Sequence, residues 1–214
     1  SLLAKLTNAQ PKIKDYAFST VIPELGTFDY FGARAQVIDM PPFGSDGYDV
    51  GTVNNADCLL LILENFEDAE KAEKFLNRAR GKRIIVFNKS DKFSSDEMRK
   101  LRAKIKSKKI DGVVVSAKTG EGIDELKSKM FSEMGVMRVF MKEPGKIKSD
   151  RPVILVKDSI VCDAAESILK GFSLKVKETR LTGPSGKFPN QRVGLNHTLK
   201  DMDIEPKIEK VYRQ

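Results

Sequence analysis

Two short polar stretches carry the most chemistry in this chain, and each follows an apolar run. Ile84-Ile85-Val86-Phe87 leads into Asn88-Lys89-Ser90-Asp91, and Val113-Val114-Val115 leads into Ser116-Ala117-Lys118. The carboxyl ends of strands in open α/β sheets are where ligands bind. The residue types suit guanine. A carboxylate at Asp91 can accept from the ring N1–H and the exocyclic 2-amino group together, and adenine offers neither donor. Asn88 can bridge neighbouring loops, the Lys89 stem can cover a ring face, and a backbone N–H near Ala117 can meet the guanine carbonyl. One such string alone occurs by chance; two in order, each after its own strand, form a specific pattern.

The elements that position these loops read as an alternation. Asp57–Glu64 is an apolar strand, Glu67–Arg80 an amphipathic helix with acids in its first turn, and 84–87 a second strand. Helix 95–108, strand 112–116 and helix 122–134 follow. Continuous apolar strands separated by helices predict a mainly parallel sheet covered on both faces. Upstream, residues 1–8 predict a helix with Leu2, Leu3 and Leu6 on its buried face, and 9–26 a loop punctuated by Pro11, Pro23 and Gly26. Thr27–Tyr30 and Ala35–Met40 predict two strands around a turn at 31–33, adding one antiparallel strand to the sheet, and 41–55 predicts a loop.

Gly135 breaks the pattern, so the expected domains are 1–135 and 136–214. The second predicts strands Met137–Met141 and Pro152–Val156 around a loop at 143–150, then a helix Val161–Gly171 capped by Ser159. Strands near Lys177–Leu181 and Glu205–Val211 complete a small mixed sheet holding one helix.

Charge separates the two parts. The net charge is +8, with 22 basic and 20 acidic side chains in 1–136 but 16 and 10 in 137–214. The second part is therefore the candidate for meeting a polyanion such as RNA, against the plainer reading of a solvated surface. Arg99 to Lys109 carries basic residues around much of its helix, which reads as solvation. Cys58 and Cys162 are too few for a disulfide framework and read as reduced thiols of a cytosolic protein. No apolar run approaches the roughly 20 residues of a membrane span. His197, the only histidine, has no Ser or Cys elbow beside it and reads as structural. Gly183-Pro184-Ser185-Gly186-Lys187 lacks the spacing of a phosphate loop and reads as an exposed basic turn able to touch RNA phosphate, and Asp46, Asp49 and Asp57 lack calcium-loop spacing.

With these motifs in place the chain resembles an Obg/Drg-type GTPase of the translation-factor class followed by a TGS domain. The fold this implies is a P-loop-type α/β G domain and then a small α+β ubiquitin-like (β-grasp) module. Residues 7–26 resemble the first switch region, where Thr20, beside Ser19, matches the threonine that senses Mg²⁺ and the γ-phosphate. Val37-Ile38-Asp39-Met40-Pro41-Pro42 resembles Asp-x-Pro-Gly, so Asp39 would hold Mg²⁺ through water. Asn88, Lys89, Asp91, Ser116, Ala117 and Lys118 match the base-recognition motifs. The TGS resemblance rests on Arg138-Val139-Phe140, Lys142-Glu143-Pro144-Gly145-Lys146 and the run from Gln191 to Leu199. The resemblance implies a cytoplasmic, ribosome- or RNA-associated protein that takes GTP or GDP with Mg²⁺. Thr20 and Asp39 would be its catalytic and metal residues.

Two departures bear on chemistry. No Gly-x-x-x-x-Gly-Lys-Ser/Thr occurs in the sequence. Yet Ser1 to Thr7 look like the helix that follows such a loop, so an upstream segment is expected, the alternative being a degenerate nucleotide site. These 214 residues alone are expected to bind GTP poorly. Pro42 stands where the family has a glycine whose N–H donates to the γ-phosphate, and proline has no N–H. Slow hydrolysis is the expectation, and a rigid turn at Pro41-Pro42 is the plainer account. Phe43 occupies the place of a water-orienting glutamine, which this class also fills with apolar residues. The competing function is a vestigial nucleotide scaffold whose TGS module recruits RNA or a protein partner.

Overall fold

Three apolar runs become the parallel sheet. In the computed structural model β3 (Cys58–Leu63), β4 (Lys82–Phe87) and β5 (Gly112–Val114) lie in that order, with Leu63 opposite Phe87 and Val86 opposite Val113. The structure describes residues 2–7, 23–42, 45, 47–63, 81–142, 149 and 151–206. The expected helix Glu67–Arg80 lies outside them, as do most of 9–26 and of the loop at 143–150. Side chains alternate between the two faces, as strand geometry requires. Ile84, Val86, Val113 and Val115 join Leu6, Phe28, Leu126 and Met130 in the main core. Leu61 and Val53 form a smaller cluster with Ile85 and Leu59 packed against it.

Two helices flank the base loops. The helix α3 (Ser95–Ser107) starts at a capping box, in which Ser94 Oγ accepts from the Glu97 N–H and Glu97 accepts from the Ser94 N–H. The helix α4 (Ile123–Glu133) buries Ile123, Leu126, Met130 and Phe131. It begins at Gly122, whose φ of 73° is left-handed and whose missing Cβ would collide with the Val114 carbonyl oxygen. No other residue type fits that junction without strain.

The hairpin departs from expectation. The strands β1 (Glu24–Tyr30) and β2 (Ala33–Asp39) pair as a two-stranded sheet of their own, so among the described residues no ladder joins them to β3–β5. Side chains hold the hairpin instead. Phe28 is fully buried in the main core, and the Tyr30 ring lies 5.2 Å from Phe131 of α4. The opening helix α1 is Leu2–Leu6, with Leu3 and Leu6 buried. The stretch 41–55, expected as a loop, ends in a helix α2 (Val50–Asn55). Asp49 caps it by accepting from the N–H groups of Gly51 and Thr52 at 2.9 and 3.1 Å, which outweighs the poor helix propensity of Gly51 and Val53.

The chain divides into two compact units, one of residues 1–30 and 34–134, the other of 31–33 and 135–214. In the second unit β6 (Val136–Lys142) lies between β7 (Val153–Val156), antiparallel, and β10 (Asp203–Pro206), parallel. The helix α5 (Val161–Ile168) contributes Val161 and Ala164 to a core with Met137, Val139, Leu155, Leu181 and Leu199. It stops short of the expected Gly171, and Ser159 does not cap it; Asp163 accepts from the Ile160 N–H at 2.9 Å instead. The strands β8 (Thr179–Leu181) and β9 (Gln191–Val193) form a separate antiparallel pair, and β9 was not expected as a strand. No helix among the described residues is long and apolar enough to cross a membrane.

The free Cys58 sits against the main core, and burial together with Glu133, Asp57 and Asp111 pushes its thiol up to about 11, which makes it a poor nucleophile.

Candidate functional site

The β4 strand delivers Asn88 to the carboxyl edge of the sheet, where its N–H donates to the Leu63 carbonyl at 3.2 Å. Its side chain then works as a bridge. Asn88 Oδ1 accepts from the N–H of Lys89 at 2.8 Å and from the N–H of Ala117 at 3.1 Å, tying the two polar loops together. Lys89 takes a left-handed conformation, φ 67°, which turns the chain into a short 3-10 segment, Ser90–Lys92. Its side chain is exposed.

A second tie runs through Asp91. The fully buried Ser116 donates its hydroxyl to Asp91 Oδ1 at 2.6 Å and accepts from the Thr119 N–H at 3.1 Å. Ser116 thus aims a carboxylate that is itself exposed. That hydrogen bond, with smaller help from Lys118 and Lys92 and against some desolvation, holds the Asp91 carboxyl below its usual 3.8. The group is therefore an anion throughout the neutral range, the state that can accept two N–H donors from one ligand edge.

Two further residues belong to this cluster and escaped the sequence reading. Ser90, at the open position of the first motif, is buried; its N–H donates to the Val115 carbonyl at 3.0 Å and its hydroxyl to Glu121 Oε2 at 3.3 Å. Glu121 lies 3.9 Å from Arg102 of α3, and its carbonyl accepts from the Ser116 N–H at 2.9 Å. The hydroxyl at the open position was the available signal. Its partner 31 residues away had none.

The other nominated residues fall outside this network. Thr20, Phe43 and Gly44 lie outside the described residues. Asp39 ends β2, half-buried, with its pKa raised by burial first and by Glu24 second. A raised carboxyl favours the folded state while protonated; that stability is present below 3.8 and lost as pH rises through the elevated folded value. Asp39→Asn will therefore melt at a higher temperature than the wild type at pH 7, and the two curves will converge below pH 3.8. Thermal melts across that range check it, and an unchanged gap at low pH would rule out titration of Asp39 as the cause. Pro41 is buried and Pro42 exposed, and the Pro42 carbonyl accepts from Ser45 N–H and Oγ at 3.2 and 2.8 Å. No group of three or more His, Cys, Asp and Glu able to hold a metal ion is found among the described residues.

The turn at 183–187 is no phosphate cradle. Its Ser185, Gly186 and Lys187 N–H groups donate to Asp203, the Gly183 carbonyl and Gln191 within the fold.

Comparison with known proteins points the same way. Residues 1–89 match the family described as 50S ribosome-binding GTPase. The chain is 26% identical over 286 positions to an uncharacterized GTP-binding protein of Methanocaldococcus jannaschii, covering 95% of this chain and 73% of that one. It is 35% identical over 143 positions to GTPase Obg of Rubrobacter xylanophilus, covering 59% of this chain but only 34% of that protein. A crystal structure of a GTP-binding protein from Pyrococcus horikoshii superposes with a TM-score of 0.50 at 14% identity, over 68% of this chain and 50% of the other, a likeness of fold alone. The chain accordingly has the α/β fold of a G domain with a parallel sheet, and the proteins it is similar to are GTP-binding proteins, GTPase Obg among them.

Proposed function

We propose that the protein is a guanine-nucleotide switch of the Obg/Drg type that acts on the ribosome or on RNA in the cytoplasm. Its first unit holds the base, and its second unit, a TGS-type β-grasp module, makes the RNA contact. The observation that carries the nucleotide reading is the double tie between loops, Asn88 to Ala117 and Ser116 to Asp91. It holds a carboxylate and a backbone N–H in fixed relation at one sheet edge, which matches the donor and acceptor edge of guanine. Lys89 and Lys118 would flank the ring with their aliphatic stems.

Mg²⁺ fits Asp39 in one respect: a half-buried carboxyl beside Glu24 gains from a cation. Asp39 and Thr20 would hold it, and the ion would supply charge stabilisation at the phosphates. Pro42 offers no N–H to a γ-phosphate, and its carbonyl is engaged by Ser45, so γ-phosphate sensing at this turn is weakened and hydrolysis is slow. This favours, as the second reading, a scaffold that binds nucleotide without turnover.

Titration of the full-length protein with GDP and ADP, followed by Mg²⁺-dependent phosphate release from GTP, tests both readings. GDP binding without ADP binding supports the site, and equal binding of the two refutes it. Release that accelerates about 100-fold in Pro42→Gly, the scale set by restoring one backbone donor to a developing charge, favours the slow switch. Release absent from both proteins favours the scaffold.

A further inference from the structure

The β8–β9 pair places two arginines face to face. Arg180 and Arg192 are direct cross-strand partners in an antiparallel ladder. Side chains so placed have Cβ atoms about 5 Å apart, and like charges there are unfavourable. Glu178, just before β8, relieves only one of them, accepting from Arg180 Nε at 2.7 Å. Arg192 is exposed and has no ion-pair partner among the described residues. The fold does not call for this charge. The opposite face of the pair carries Thr179 and Leu181, both buried, and these fix the strands in place.

The surroundings add to the positive field. Lys177 and Arg192 line an open cleft of about 270 Å³ walled by residues 176–179 and 192–195. Lys177 is exposed and, like Arg192, unpaired among the described residues. The connecting loop presents Lys187 and Phe188, the latter 60% exposed. A large aromatic so exposed at the tip of a basic hairpin provides a stacking surface for a base.

We propose that the β8–β9 hairpin is a single-stranded RNA contact in which the Arg180–Arg192 pair clamps a backbone phosphate and Phe188 stacks a base. This rests on the reading of the second unit as the RNA-contacting element. A phosphate between the two guanidinium groups turns their repulsion into two charge-assisted, forked contacts. An acidic peptide would also meet the arginines but would leave Phe188 unused, and RNA employs both.

The test is fluorescence anisotropy of a labelled 12-nucleotide single-stranded RNA of mixed sequence with the full chain, from 50 to 200 mM KCl. Loss of one phosphate contact lowers the log–log salt slope by about 0.7, so Arg192→Gln should bind roughly eightfold more weakly at 50 mM KCl and about threefold at 200 mM. The same variant should melt about 1–3 °C higher, because the like-charge pair is gone. Weaker binding with a more stable fold separates a clamp from damage to the module. Phe188→Ala should bind about fivefold more weakly with an unchanged salt slope. Wild-type binding that Arg192→Gln leaves intact overturns the clamp while the RNA reading stands. No salt-dependent binding by the wild type overturns both. Competition by poly-glutamate as effective as by RNA overturns RNA as the occupant.

Discussion

An Asp91→Asn variant will bind XDP in preference to GDP, reversing the selectivity of the wild type. The change is confined to one atom. The substituted side chain keeps Oδ1, so the 2.6 Å bond from the buried Ser116 hydroxyl survives and the group stays aimed. Oδ2 becomes an amide nitrogen, which donates where the carboxylate accepted. The guanine 2-amino group then meets another donor, while the C2 carbonyl of xanthine meets a partner. Hydrogen bonds to a charged group are worth about 1.5–3 kcal/mol, so loss of the carboxylate should weaken GDP about 100-fold. Competition among GDP, XDP and ADP reads the outcome. A loss of GDP with no gain of XDP would place Asp91 in the framework of the loop, away from the base. The wild type adds a pH signature: the Asp91 carboxyl is held below 3.8, so GDP binding should persist through the mildly acidic range and fall only as pH drops through that lowered value.

What could be foreseen from the residues divides along physical lines. The runs 58–63 and 84–87 announce strands because strands buried on both faces must be apolar throughout, and the chain pairs them in parallel. Local signals also sufficed for the two polar loops, since each motif follows its strand directly. The α2 helix was hidden because Gly51 and Val53 argue against a helix, although Asp49 and Thr52 already spelled an N-cap. Register lay beyond reach. Arg180 and Arg192 are 12 residues apart, and β9 is only three residues long, so nothing local shows that they stand opposite. Glu121 is a similar case: its bond to Ser90 exists only because α3, β5 and α4 bring the two loops to one edge.

The second large effect concerns that edge. Asn88→Ala will destabilise the first unit by about 2 kcal/mol, a fall of about 4–8 °C in its melting temperature, whereas Asn88→Asp will not. Alanine removes the acceptor for two backbone donors, Lys89 N–H and Ala117 N–H. The part-buried Ala117 N–H is left without its partner, a cost of about 1–3 kcal/mol. Lys89 adds to this, because its left-handed backbone, φ 67°, is held by the same oxygen. Aspartate keeps Oδ1 and so keeps both bonds. Protection of the Ala117 amide against hydrogen exchange reads the bridge directly: it should fall in Asn88→Ala and hold in Asn88→Asp. Unchanged protection in the alanine variant would mean that the loops are fastened without Asn88. The remaining straps, Ser116 to Asp91 and Ser90 to Glu121, keep the loops from separating entirely. Asn88→Ala combined with Ser116→Ala should therefore cost more than the two single losses added together, because either strap alone still limits the motion that the other restrains.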